Sequence, residues 1–214
     1  MNEFFLDIET QRTDDPVVIK RLQEAVKPPG QYSKPESIAK WHAEQGAAAR
    51  LAAVNQTALD GTYGRLATIG FAVDDGDIRV FGMPGFSHNE ATMLSHFGDA
   101  IAEPQAIEIV AFNGEFDLRF LMKRYVINGL PVPLRIQAAL AARVGYFDPM
   151  KQWEGFRGYI SQADLEHALG ITREDDIDGS QVGDAIDAGD WERVIKHNRE
   201  DVKNLRAIHK RMTA

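Results

Sequence analysis

The stretch FFLDIET at residues 4–10 changes within a few positions from an apolar run to two carboxylates. The apolar run predicts a buried strand, and side chains two positions apart in a strand point to the same face. Asp7 and Glu9 are therefore expected side by side. Because like charges that close raise each other's pKa unless a cation lies between them, the pair indicates one wall of a divalent metal site. Two solvated acids at a strand end are the alternative interpretation.

Composition narrows the class of protein. The 214 residues, 44% of them hydrophobic, fit one domain with its own core. A signal peptide and a membrane-spanning segment are not indicated, so we expect a soluble cytoplasmic protein with no membrane partner. The absence of cysteine excludes disulfides, thiolate zinc sites and cysteine nucleophiles. The net charge of −8 argues against a broad surface that coats nucleic acid, but not against an enzyme that acts on one strand end.

The long segment at residues 11–63 has no sheet pattern. It predicts irregular structure with a short helix near residues 17–26, followed by a helical stretch over residues 35–57. A connection of this length is uncommon in a compact domain unless it is functional. We therefore expect residues 1–214 to form one domain with a helical insertion at 11–63, which is a candidate lid or partner-binding feature.

The remaining segments predict the other elements of an α/β fold. An antiparallel hairpin is expected at residues 65–73 and 77–81, and a buried strand at residues 107–112. A capping-box pattern at residues 87–90 predicts a helix that continues to about residue 102. Further helices are expected at residues 163–169, 182–187 and 191–211.

Two further clusters carry polar groups with informative spacing. Gly114 suits a strand-to-helix turn, which places Asn113 at the strand end and Asp117 in the first turn of a helix that ends near residue 127. An acid in a first helical turn also interacts favourably with the helix dipole, which is the simpler alternative. His197 and Asp201 lie four residues apart in the last helix and so share one face.

Carboxylates from three segments indicate a common chemistry. Oxygen ligands without cysteine favour hard cations, which means Mg²⁺ or Mn²⁺ before zinc. Two such ions are the established device for in-line attack on a phosphodiester. A histidine one turn from a metal-binding aspartate is well placed to take a proton from water, so His197 is a candidate general base; a helix-surface histidine is the alternative.

The motifs LDIET (6–10), NGEFDL (113–118) and HNREDV (197–202) together resemble the DEDD superfamily of 3′–5′ exonucleases, which includes proofreading exonucleases of DNA polymerases. The resemblance covers most of the chain and is greatest to bacterial and phage exonucleases related to family B polymerase proofreading domains. It implies a ribonuclease H-like α/β fold with a central mixed five-stranded sheet and flanking helices. The metal ligands that it implies are Asp7, Glu9, Asp117 and Asp201, with Thr10 and Asn113 contacting the terminal nucleotide.

One spacing departs from the family pattern. The subgroup with a catalytic histidine usually places it five residues before the last aspartate, and the subgroup with a catalytic tyrosine places it four residues before. His197 has the tyrosine spacing, so its role as general base is a hypothesis.

The predicted function is a 3′–5′ exonuclease with two Mg²⁺ or Mn²⁺ ions that acts on nucleic-acid 3′ ends, favouring single-stranded DNA, with a separate polymerase or repair partner. A catalytically silent nucleic-acid-binding or polymerase-docking module is the first alternative, although such a module would be expected to lose an acid. An exonuclease of RNA or short oligonucleotides is the second, since no residue reports on the 2′-OH.

Overall fold

A computed structural model describes residues 2–103, 107–142, 144–155 and 157–214. The chain divides into two compact units, one comprising the residues up to Thr10 together with Leu66–Ala214, and the other Gln11–Arg65. None of the helices in the described part of the chain is long and apolar enough to cross a bilayer.

The central sheet has five strands in the order β3-β2-β1-β4-β5. Strand β1 pairs in parallel with β4, and β4 pairs in parallel with β5, whereas β2 and β3 are antiparallel, as predicted for a hairpin. The predicted mixed five-stranded sheet is thus confirmed. The strands are β1 Asn2–Gln11, β2 Arg65–Val73, β3 Arg79–Gly82, β4 Ile107–Val110 and β5 Tyr146–Phe147.

Seven helices of the described chain follow the second strand, in the unit that contains the sheet. They are α4 Glu90–Ala102, α5 Glu115–Ile127, α6 Leu134–Ala142, α7 Pro149–Glu154, α8 Gln162–Leu169, α9 Val182–Asp187 and α10 Trp191–Thr213. The other unit contains α1 Pro16–Ala25, α2 Pro35–Glu44 and α3 Gly46–Asn55. Short 3₁₀ turns occupy Gln56–Leu59 and Met83–Phe86.

Successive side chains of β1 point to opposite faces of the sheet and therefore pack against different helices. Phe4, Leu6 and Ile8 are buried in the large core cluster, to which α4 and α5 contribute most of the helical side chains. Phe5 points to the opposite face and packs in a second cluster with Val202 of α10. Because Asp7 and Glu9 have the same parity as Phe5, the pleat directs both acids to the side of the sheet that α10 covers.

Two details of helix boundaries differ from the sequence-based expectations. Helix α4 is capped by Asn89, whose side chain accepts a hydrogen bond from the N–H of Thr92, and Ser87 lies outside the helix at φ 52°. The expected helical stretch over residues 35–57 is two helices that meet at Gln45. Gly46, a poor helix former, begins the second of them.

The unit Gln11–Arg65 is held together by its own contacts. The N–H of Thr13 donates to Thr57 Oγ1 over 2.9 Å, and the guanidinium of Arg65 pairs with Asp14. The guanidinium of Arg21 stacks over the Tyr63 ring at 5.1 Å from the ring centroid.

Candidate active site

The acids of β1 and the start of α5 are joined by a backbone contact. Asp117 lies in the first turn of α5, is 5% exposed, and accepts a hydrogen bond at Oδ1 from the N–H of Ile8 over 3.1 Å. Ile8 lies between Asp7 and Glu9 in the strand. This single bond therefore fixes the third acid beside the first two.

The turn between β4 and α5 directs the start of α5 toward strand β1. Asn113 has a left-handed backbone with φ 50°, and its N–H donates to Asp148 Oδ1 over 3.0 Å. Gly114 has an ordinary right-handed backbone. A β-carbon there would lie 2.4 Å from the Ala111 β-carbon, so Gly114 is needed for close packing while Asn113 supplies the unusual torsion.

Helix α10 brings the last pair of predicted residues to the same place. His197 is 3% exposed, and its Nε2 lies 3.3 Å from Asp201 Oδ2 and 3.5 Å from Glu9 Oε1. The next residue, Asn198, donates a hydrogen bond from Nδ2 to Asp7 Oδ2 over 2.5 Å. The three predicted motifs therefore converge on one site.

Burial and mutual repulsion make these acids hard to ionise together. The pKa of Asp7 is raised well above its usual value by burial and by the charges of Asp201, Glu9 and Asp117. Burial also raises the pKa of Glu9, with Asp201 and Asp117 adding to it, and raises that of Asp117 to about 7. Burial raises the pKa of Asp201 as well, although His197 and Arg173 act to lower it. Such a cluster is stabilised by a bound cation.

Two charged residues that contact the predicted site residues were not predicted from the sequence. Arg173 contacts Asp201 Oδ1, donates to both carboxylate oxygens of Glu166 over 2.9 and 3.0 Å, and lies 3.1 Å from Asp175 Oδ2. Asp175 in turn contacts His197 Nδ1 through its own Oδ2. The only sequence signal was a lone arginine in the acidic stretch TREDDIDG at residues 172–179.

All the predicted site residues except Thr10 line a cleft of about 500 Å³. Its rim carries aromatic and polar groups beside the acids. Thr10 follows Glu9 at the end of β1 and is partly buried, and it is not among the described residues that line this cleft. The lining includes Asp7, Glu9, Phe112, Asn113, Phe116, Asp117, Tyr159, Arg173, His197 and Asp201.

The donor set fits a divalent metal ion. Ligand atoms of Glu9, His197 and Asp201 all lie within 4.8 Å of one another, and Asp7 and Asp117 add buried carboxylates beside them. Carboxylate oxygens with at most one imidazole suit Mg²⁺, Mn²⁺ and related ions. The site can therefore hold a divalent metal ion.

A protein-family model matches most of the chain. Residues 55–213 match the model of the RNase_H superfamily. The chain belongs to this superfamily, whose nucleases use divalent metals at acidic sites. The matched range contains Asp117, His197 and Asp201, and the strand that carries Asp7 and Glu9 precedes it.

Solved structures give the same fold. The chain is similar to a family B DNA polymerase from the hyperthermophilic archaeon Pyrobaculum calidifontis, with a TM-score of 0.63 and 15% sequence identity. The similarity covers all of this chain and 24% of the polymerase chain. At this identity the likeness establishes the fold. No curated protein matches the sequence.

Proposed function

We propose that this protein is a metal-dependent 3′–5′ exonuclease that hydrolyses phosphodiester bonds at nucleic-acid 3′ ends, with single-stranded DNA as the favoured substrate. The observation that carries the proposal is the convergence of Asp7, Glu9, Asp117 and Asp201 on one cleft, in a chain of the RNase_H superfamily. The chain is similar in structure to a family B DNA polymerase. This similarity supports a role together with a separate polymerase or repair protein.

The four carboxylates are the proposed metal ligands. When bound, a pair of Mg²⁺ or Mn²⁺ ions would supply Lewis-acid stabilisation of the phosphodiester and activation of water. The chain's own contribution is to hold the acids in place. Asn198 orients Asp7 from α10, the Ile8 N–H orients Asp117, and Arg173 holds Oδ1 of Asp201.

The substrate strand would enter the cleft between the acids and the aromatic rim. Phe112, Phe116 and Tyr159 line the cleft and offer faces on which unstacked bases can pack, which favours single strands over duplex. Asn113 also lines the cleft and is the first proposed contact with the terminal nucleotide. Thr10, which adjoins Glu9, is the second proposed nucleotide contact.

His197 offers one nitrogen to the reaction. Its Nδ1 is engaged by Asp175, and its Nε2 faces Glu9 and Asp201. A lone pair on Nε2 can accept a proton from water, as the general-base hypothesis requires, or bind a metal ion. The general-base role stays a prediction.

A labelled-substrate assay tests the proposal. Single-stranded DNA, double-stranded DNA and RNA, each labelled at the 5′ end, are incubated with Mg²⁺, Mn²⁺ or EDTA. A 3′–5′ exonuclease shortens the labelled strand stepwise, whereas a 5′–3′ exonuclease releases labelled mononucleotide at once. Circular single-stranded DNA should remain intact. Asp201→Asn should lower the rate at least a hundredfold, and Asp184→Asn, a change on the exposed face of α9, should not.

Two outcomes would contradict the proposal. A protein that binds labelled single strands but releases no nucleotide with either metal is a silent binding module. Faster shortening of RNA than of DNA would keep the nuclease and change its substrate.

A further inference from the structure

The unit Gln11–Arg65 differs in charge from the rest of the chain. It contains eight lysine and arginine residues against six aspartate and glutamate residues, which gives it a net charge of +2. The whole chain carries −8, so the unit that contains the acidic cleft carries −10. A nucleic-acid strand is a polyanion, and protein cations supply most of its non-specific affinity by releasing counterions. The acidic unit is poorly suited to supply this affinity.

Three cations of the unit Gln11–Arg65 are free to bind an anion. Lys27 and Lys34 are exposed at the two ends of the loop between α1 and α2, and Arg50 is partly exposed on α3. Within the described residues, none of these three side chains forms an ion pair or a hydrogen bond. A phosphate group can therefore reach them without displacing a carboxylate.

Aromatic rings join this loop to the junction of α2 and α3. The ring centroid of Tyr32 lies 6.3 Å from that of Trp41, and His42 meets Trp41 edge to face at 5.1 Å between centroids. Gln45 donates a hydrogen bond from Nε2 to the Tyr32 hydroxyl over 3.4 Å. Trp41 is buried, whereas Tyr32 is half-buried and His42 is exposed. The buried indole thus holds two rings at the surface of the unit.

Gly46 leaves room for His42 and Arg50 beside one another at the same junction. A β-carbon at position 46 would lie 3.4 Å from His42 Nδ1, and 3.2 and 3.7 Å from the two Nη atoms of Arg50. In the described part of the chain, neither side chain pairs with a carboxylate. A guanidinium binds phosphate through two parallel hydrogen bonds and also stacks on planar rings. The junction therefore presents groups that suit both the phosphates and the bases of a strand.

We propose that the unit Gln11–Arg65 is a second nucleic-acid-binding element, which binds the phosphates of a single strand with Lys27, Lys34 and Arg50 and packs a base on Tyr32. Proteins that bind single strands combine cations along the backbone with aromatic faces on which the bases stack. The inference rests on the proposed exonuclease, whose substrate this element binds, and it gives the insertion a role in binding that substrate.

Fluorescence anisotropy of a labelled oligothymidylate in EDTA measures this binding without hydrolysis. The test protein is the full chain with Lys27→Gln, Lys34→Gln and Arg50→Gln. It should bind at least about tenfold more weakly than wild type at moderate salt. The plot of log affinity against log salt concentration should also become shallower by about 2, because each phosphate contact on a single strand contributes about 0.7 to the slope.

A second triple variant is the matched control. Lys123→Gln, Lys210→Gln and Arg211→Gln remove the same three charges from the other unit. This variant should keep the wild-type salt slope and lose less than about threefold in affinity. Thermal melting shows whether each variant is folded. If the insertion triple variant is not, Lys27→Gln and Lys34→Gln, both at exposed positions, should each reduce the slope by about 0.7.

Two substitutions of Tyr32 test the stacking contact. Tyr32→Leu should weaken binding of the oligonucleotide about fivefold or more, because stacking of a base on an aromatic ring is lost. Tyr32→Phe keeps the ring and loses only the hydroxyl that accepts from Gln45, so it should bind nearly as wild type. Equal losses in both variants would contradict a stacked base.

Three results would overturn the proposal. They are a wild-type protein that does not bind the oligonucleotide, an insertion variant with an unchanged salt slope, and equal losses of affinity in the two triple variants. The second result would leave an acidic protein surface as the partner of these cations.

The binding and nuclease assays can fail separately. Binding that depends on the insertion, without hydrolysis of any nucleic acid, would retain this inference and reject the proposed function. Hydrolysis by a protein whose binding does not depend on the insertion would retain the nuclease and reject the second binding element.

Discussion

Asn198 donates a hydrogen bond from Nδ2 to Asp7 Oδ2 over 2.5 Å, which links the last helix to the first strand across 191 positions of sequence. Asn198 is fully buried, and its contact lowers the pKa of Asp7 against the larger raising effect of burial and neighbouring charges. The amide therefore favours the ionised acid that a metal ion needs.

Asn198→Ala should weaken divalent-metal binding by about 10- to 100-fold, because a hydrogen bond to a charged group contributes about 1.5 to 3 kcal/mol. Calorimetric titration with Mn²⁺ measures the change. Asn204→Ala is the matched control, since Asn204 is equally buried on α10 and its Nδ2 has no hydrogen-bond partner in the described chain. Similar affinity losses in the two variants would mean that the packing of α10, rather than the contact with Asp7, is responsible.

Gly70 in β2 provides the space that Asn198 occupies. A β-carbon at this position would lie 2.5 Å from Asn198 Oδ1 and 3.0 Å from Val202 Cγ2. Gly70→Ala should therefore push α10 away and destabilise the protein by about 1 to 3 kcal/mol, as overpacked cores do. Metal affinity should fall with it, because Asn198 would no longer reach Asp7.

Thermal melting and metal titration of Gly70→Ala test this packing. Gly183→Ala is the control, because nothing lies within 4 Å of a β-carbon at that position in α9 and alanine favours a helix. A Gly70→Ala protein with wild-type melting temperature and metal affinity would contradict the assignment.

The parts of this site that follow local patterns could be predicted from the sequence. The alternation in FFLDIET predicts which side chains share a face of the strand, and the structure has this arrangement. The four-residue spacing of His197 and Asp201 predicts that they share a face of the helix, and the two side chains are in contact. Arg173 and Asp175 lie in a segment without helix or strand, so no periodicity indicates where they point. A glycine is needed at position 70 because Asn198, 128 residues later in the sequence, packs against it. No local sequence pattern indicates this contact.

A buried ion pair on the opposite face of the sheet contributes to stability apart from the site. Arg124 Nη2 lies 2.6 Å from Glu90 Oε2, both side chains are nearly inaccessible, and Glu90 Oε1 also accepts from the N–H of Leu66 over 2.8 Å. Arg124→Leu should cost about 3 to 5 kcal/mol, because the carboxylate of Glu90 stays buried without its cation.

Denaturant unfolding of two variants on the same helix measures this cost. Arg119 pairs with Glu115 at 2.8 Å on the exposed face of α5, so Arg119→Leu should change stability by less than about 1 kcal/mol. Equal changes in the free energy of unfolding would show that the buried ion pair contributes no more to stability than the exposed one.

The last prediction concerns the pH dependence of the metal-free protein. Burial, with the charges of Asp148 and Asp201, raises the pKa of Asp117 to about 7, against hydrogen bonds from its own N–H and that of Ile8. In the unfolded chain an aspartate titrates near pH 3.9. Between these values the folded protein binds more protons than the unfolded chain, so its free energy of unfolding falls as the pH rises from about 4 to about 7.

Asp7→Asn removes one of the charges that repel the other acids, and Asp7 itself has a raised pKa. In EDTA the variant should therefore lose less stability than wild type over this pH range and be the more stable protein at neutral pH. Asp184→Asn, on the exposed face of α9, should follow the wild-type curve. Denaturant unfolding at a series of pH values gives the three curves, and their differences cancel the titration of groups that all three proteins share. Saturating Mn²⁺ should remove the wild-type decline, because the bound cation offsets the repulsion between the acids. If Asp7→Asn and wild type keep parallel curves in EDTA, the buried acids do not repel one another as their geometry requires, and the cluster would not need a cation.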